Sequence, residues 1–189
     1  MVAVNQIRQT LTLAEFLERP ETKPASEYVN GQIQQKPMAQ GKHSILQGEL
    51  SFALTLALKP ERTAQAFPEL RCTFGGRSIV PDLAVFRTER IPRDHDGQVA
   101  NSFNLHPDWI IEILSPKQSQ TKVIRNILHC LDNGTKMGWL LDPEESLIFV
   151  YSADKSVQLF ENLEVVLPVP EFAQALQLKV GEIFDWLKG

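Results

Sequence analysis

Apolar residues recur along this chain with two periods, one helical and one alternating. From Lys42 to Leu58 they fall at Ile45, Leu46, Leu50, Leu54 and Leu58, a spacing that predicts a helix ended by Pro60. From about Gln120 to Asp132 the same period returns at Val123, Ile124, Ile127, Leu128 and Leu131, with Asn133-Gly134 as a C-terminal stop. Thr12 can cap a short helix, Leu13 to Glu18, ahead of Pro20, and VGEIFDWL predicts an amphipathic terminal helix. Between these, SEYVNGQIQQ predicts a β-hairpin, because Asn30-Gly31 supplies the positive-φ pair of a type I′ turn. Strand-like runs cover Glu69 to Phe74 and Ile79 to Phe86, and RTERIPRDHDGQVANSFN predicts a surface loop. PDWIIEILSP is almost continuously apolar, which predicts a strand buried on both faces and ended by Ser115-Pro116. MGWLLDPEESLIFVYS predicts a second hairpin turning at Asp142-Pro143, and VQLF a short strand. Trp139, Trp186 and Phe149 sit in apolar runs and are expected in the core. The order of elements predicts a mixed α/β fold, a central mixed sheet flanked by helices, in a single domain spanning 1–189.

Composition narrows this little. The apolar share is ordinary, so the chain can bury a core without staples. Cys72 and Cys130 stand apart, with neither CxxC spacing nor a histidine pair to complete a zinc set, and two free thiols are the simpler reading. No apolar stretch is long enough for a bilayer span and no secretory signal opens the chain, so a cytoplasmic protein off the membrane is expected. The net charge of −4 argues against a broad basic surface gripping nucleic acid, though not against a local one.

Glu112 changes the picture most. It lies among Ile110, Ile111, Ile113 and Leu114, where an ionised carboxylate is costly unless a metal ion, a basic partner or protonation compensates; the bland alternative is a strand-end residue reaching solvent or an arginine. Asp82, between Pro81 and Leu83-Ala84-Val85-Phe86, would alone be a turn and strand start. Two acids at the edges of adjacent strands, aimed at one spot, suit Mg²⁺, with Mn²⁺ as a substitute. Lys122, Arg125, Asn126 and His129 share one helix face; a solvated face is the expectation for Arg125 and His129, while Lys122 near the helix start could instead meet phosphate. Glu27, before the Asn-Gly turn, reads as an exposed strand residue, and His43 as a capping or surface residue.

SEYVNGQI, IVPDLAVF, PDWIIEILSP and GWLLDP, in this order, resemble the Uma-type restriction endonuclease-like family of uncharacterised bacterial proteins, within the PD-(D/E)XK nuclease superfamily. The resemblance runs from about Leu13 to Leu187 and implies a restriction-endonuclease-like core. It implies that Asp82 and Glu112 are the metal-binding acids, that Glu27 matches a family glutamate, and that His43 falls where the family often has histidine. The superfamily lysine belongs two residues after the second acid, roughly 7 Å along the strand; that place is Leu114 here. The family's alternative lysine, in the following helix, aligns with Asn126. Lys122, one turn earlier, is therefore nominated as the relocated lysine and Lys117 as second choice, with His43, Lys117 and Arg125 as substrate contacts.

These readings lead to an Mg²⁺-dependent endonuclease acting on DNA, expected as a homodimer, in which Asp82 and Glu112 hold the cation, Lys122 orients water or offsets developing charge, and Glu27 supports the metal. Leu114, Asn126 and the acidic balance motivate a competitor: a nuclease-fold binding or accessory module that has lost turnover. A homodimeric structural protein with solvent-facing acids ranks last, because it leaves Glu112 unexplained.

Overall fold

The structure, a computed structural model, describes residues 11–116 and 118–188. The elements run α1 (Leu13–Leu17), β1 (Ser26–Val29), β2 (Gln32–Gln35), α2 (Gly41–Glu61), β3 (Ala64–Pro68), β4 (Cys72–Phe74), β5 (Arg77–Ile79), β6 (Leu83–Arg87), β7 (Trp109–Ile113), α3 (Gln120–Asp132), β8 (Met137–Asp142), β9 (Leu147–Ser152), β10 (Val157–Phe160) and α4 (Val180–Asp185). The fold is mixed α/β, as expected, but the described residues form two sheets. One is six-stranded, in the order β10-β9-β8-β7-β6-β3, and mixed, its β7–β8 pair being parallel; the other is a four-stranded sheet, β2-β1-β5-β4.

The parallel pair β7–β8 is joined through α3, the crossover that a parallel connection requires. Strand parity then divides the core. Leu83, Val85, Trp109, Ile111 and Ile113 face the α2 leucines 46, 50, 54 and 58, while Ala84, Phe86, Ile110 and Leu114 face Val123, Ile127 and Cys130 of α3. That double coverage is why β7 reads as a continuous apolar run. Gly138 on β8 lets α3 approach, since a Cβ there would collide with the Ile127 side chain. Trp139 is fully buried, whereas Phe149 and Trp186 pack at the core's margins. Cys72 and Cys130 are buried free thiols.

Local signals hold at several places. Thr12 caps α1 in a reciprocal capping box with Glu15. Asn30 and Gly31 both have positive φ, 52° and 77°, at a two-residue turn between Val29 and Gln32. Asn133 caps α3, and the Asp142 carboxylate, accepting from the Glu144 N–H at 3.1 Å, holds the turn of the β8–β9 hairpin.

Three expectations are corrected. Pro60 does not stop α2; it sits in the last turn, and the helix ends when Arg62 turns left-handed at φ 52°. The run from Glu69 to Phe74 is pairing only from Cys72 onward, while β3 precedes it at Ala64–Pro68. The predicted strand Ile79 to Phe86 is broken at residues 80–82, where the chain leaves the four-stranded sheet and enters the six-stranded one. Pro81 has no N–H to give a ladder, and side chains rather than a neighbouring strand take up both backbone groups of Val80. Among the described residues no helix is long and apolar enough to cross a membrane.

Candidate metal centre

The break at residues 80–82 is the corner where the candidate residues meet. The β1–β2 hairpin reaches it with Glu27 on one strand and Lys36 just beyond the other, tied to each other by cross-strand pairing and by the Lys36 N–H donating to the Ala25 carbonyl at 2.9 Å. The Val80 N–H donates to Glu27 Oε1 at 2.8 Å, and the Val80 carbonyl accepts from Lys36 Nζ at 2.7 Å. Asp82 follows at once. Its Oδ1 accepts from Lys36 Nζ at 2.6 Å; its Oδ2 accepts from the Ile113 N–H at 2.7 Å and lies 3.1 Å from His43 Nε2. Glu112 arrives on β7 at the position between Ile110 and Leu114, on the α3 side, and its Oε2 lies 3.8 Å from Lys36 Nζ and 3.4 Å from the Asp82 N–H.

Asp82 and Glu112 thus converge on one ammonium, and Glu27 adds a third charge nearby. Glu27, His43, Asp82 and Glu112 are all buried. Burial alone would weaken the Lys36 ammonium, but the charges of Glu112, Asp82 and Glu27 outweigh it and raise its pKa. Burial likewise pushes the Asp82 carboxyl up, and Lys36 and the His43 contact reverse this, holding it well below the carboxylate range. Glu112 has the longer contact to the ammonium, so burial wins there and, with Asp82 and Glu27 adding repulsion, drives its pKa well above the usual value.

The sequence-predicted residues separate into groups. Glu27, Glu112, Lys122 and Asn126 line a cavity of about 430 Å³ together with Lys36. Lys122 is exposed on its wall and has no hydrogen bond or ion pair to either acid among the described residues; the lysine that reaches them is Lys36. Asn126 donates to Glu27 Oε2 at 3.1 Å. Glu27 and His43 are not surface residues, and His129, expected on a solvated face, is buried against the Phe74 ring at a centroid distance of 4.8 Å. Arg125 is exposed and lies outside the cavity, and Lys117 lies outside the described residues. Leu114 packs in the α3-side core.

The donor chemistry fits a hard divalent cation. Two carboxylate oxygens and one carbonyl oxygen already bind a cationic head, and His43 Nδ1 is buried without a hydrogen-bond partner. The acids surround the ammonium rather than gather at a point: among the described residues, the group of three ligand atoms lying within 4.8 Å of one another is the exposed Asp94, His95 and Asp96. Lys36 escaped the sequence reading because its partners lie 44 and 46 residues away and its own stretch, Gln34-Gln35-Lys36-Pro37, carries no period.

Comparison with known proteins agrees with the fold. No curated protein matches the chain. A crystal structure described as "a putative nuclease belonging to DUF820" from Anabaena variabilis superposes with a TM-score of 0.92, at 55% sequence identity, covering 94% of this chain and 99% of that one. The Uma2 family model, described as "Putative restriction endonuclease", matches residues 13–181, and the chain belongs to that family.

Proposed function

We propose that the protein is a divalent-metal-dependent nuclease that hydrolyses DNA phosphodiester bonds, with Mg²⁺ as the working ion and Mn²⁺ as a substitute. The observation that carries this reading is the shared grip of Asp82, Glu112 and the Val80 carbonyl on one cationic head at the edge of a cavity large enough for a nucleotide unit. When bound, a divalent cation supplies Lewis-acid chemistry that stabilises negative charge on a phosphate. Asp82 and Glu112 are the residues to hold it. Asp82 is fixed for this by the Ile113 N–H and by His43. Glu27 holds the 80–82 corner in shape through the Val80 N–H and takes its own orientation from Asn126. Lys36 and Lys122 provide the positive charge that faces a phosphate in the cavity. The net charge of −4 is compatible with this, because the cations needed are local.

Supercoiled plasmid incubated with and without Mg²⁺ or Mn²⁺, beside an Asp82→Ala variant, tests the proposal. Metal-dependent nicking is expected from the wild type and a loss of ~10²–10³-fold from the variant. Nicking that survives the substitution rejects this site.

One observation favours a second reading, a DNA-binding module without turnover: the family's two lysine positions are taken by a core leucine and an amide bonded to Glu27. It predicts metal-sensitive DNA binding without nicking. A homodimer is a separate proposal, and a mass of one chain by light scattering rejects it.

A further inference from the structure

Resting on the reading of this site as a metal centre, one question is how a lysine and a divalent ion can both use it. Lys36 Nζ lies 2.6 Å from Asp82 Oδ1, 2.7 Å from the Val80 carbonyl oxygen and 3.8 Å from Glu112 Oε2. A Mg²⁺ ion needs oxygen atoms at about 2.0–2.1 Å, on the side of the carboxylate that the ammonium now covers. Two cations cannot bond the same lone pairs from the same direction.

The surroundings allow the ammonium to leave. Lys36 stands at the first position after β2, and residues 37–40, which link it to α2, have no regular structure and are exposed. Its four-carbon stem can swing without moving either element. Open space adjoins it on two sides: the cavity of about 430 Å³ with Gln118, Ser119 and Lys122, and a second of about 420 Å³ with Met38, His43 and Asp82. Asp82 and Glu112 are spread around the ammonium, as expected of ligands that close in only after it departs.

We infer that Lys36 is a removable place-holder: its ammonium and a divalent cation are alternative occupants of one oxygen cage, and metal entry moves Lys36 into the Lys122-lined cavity, where it meets the phosphate. The displaced side chain then does the work that Leu114 and Asn126 cannot, which makes Lys36 the lysine of the site.

Two measurements on the full chain without DNA test this. In the first, lysines of the wild type are acetylated with an N-hydroxysuccinimide ester, with and without Mn²⁺, and mapped by mass spectrometry, with exposed Lys59 as the internal standard. Lys36 is expected to be protected without metal and several-fold more reactive with it. In the second, Mn²⁺ affinity is compared by calorimetry for wild type, Lys36→Met and Lys36→Arg. The Met variant keeps the apolar stem and is expected to bind at least about tenfold tighter, since one adjacent like charge is worth about one to three decades; the Arg variant keeps the charge and is expected to gain nothing. Unchanged Lys36 reactivity in Mn²⁺-bound protein, or a Met variant that binds no tighter, overturns the exchange and leaves the nuclease reading standing. Mn²⁺ binding by none of the three proteins overturns both. Should Lys36→Met fail to fold, the acetylation result decides alone. Lys36 exchange in a protein that nicks no plasmid sinks the nuclease reading and keeps the exchange.

Discussion

Two buried acid sites stand on the β6–β7 pair, one near each end, and they are built in opposite ways. Asp108 precedes β7; its Oδ1 accepts from Arg87 Nε at 3.0 Å and Arg90 Nη1 at 2.7 Å, and its Oδ2 accepts from the Arg87 N–H at 2.9 Å. One carboxylate there has two guanidinium partners, both partly in contact with solvent. At the other end, Glu27, Asp82 and Glu112 share one ammonium. Burial is the same, with Asp108 1%, Asp82 2% and Glu112 3% exposed, so burial of a carboxylate does not mark a site. The ratio of acid to base does. Arg87 and Arg90 serve Asp108 and Glu89, so each acid there has a guanidinium partner and the arrangement is structural; three carboxylates around one ammonium and the His43 contact leave a shortfall that suits a further cation.

That contrast is breakable, and the largest effect should come first. Asp82→Ala should remove ~10²–10³-fold of plasmid nicking per folded molecule, while Asp108→Ala should leave it unchanged. A matching loss from Asp108→Ala would erase the distinction. Next in size, Asp108→Ala should destabilise by about 2–3 kcal/mol, below the range for fully buried pairs because Arg87 and Arg90 can turn to water. Thermal unfolding should show a drop of roughly 5–10 °C.

Glu112 has its pKa raised by burial and by its acidic neighbours, so the stability this gives is complete below the unfolded value of about 4.3 and is lost as pH rises through the folded value. Asp82 has the opposite sign: its depressed pKa gives stability present above about pH 3.9 and lost in acid. In metal-free buffer Glu112→Gln should therefore gain on the wild type as pH climbs from 5 to 8, with roughly 2–4 °C of melting temperature per kcal/mol, and it should nick poorly. A gap that stays flat with pH would show that Glu112 is not the strained member. Smallest of all, Lys122→Ala should change nicking by less than about threefold, the scale of an exposed charge, because Lys122 touches neither acid. A larger loss would return the lysine role to α3.

Local patterns carried the legible part of the fold. The Asn30-Gly31 turn, the capped α1 and the bounds of α3 depend on neighbours in the chain, and the apolar run of β7 announced a strand covered on both faces. Glu112 was conspicuous because its own strand excludes it, and Asp82 gained meaning only beside it. Asp108 passed unnoticed because Pro107-Asp108 looks like an ordinary strand start, and its arginines come from another strand and loop. Lys36 stayed hidden for the same reason: its three oxygen partners come from residues 80, 82 and 112, brought together only where the chain changes sheets. Pro60 misled because its missing N–H and its ring disturb the turn before it, at Leu56, while Pro60 and Glu61 still keep helical backbone angles up to Arg62.

The Lys36–Asp82 pair also bears on how the protein can be handled and made. Zinc fingers collapse in chelator because the ion is part of their fold. This chain carries an internal counter-ion, so its packing is complete without a metal ion. Folding then needs no ion: protein stripped with EDTA should keep its melting transition.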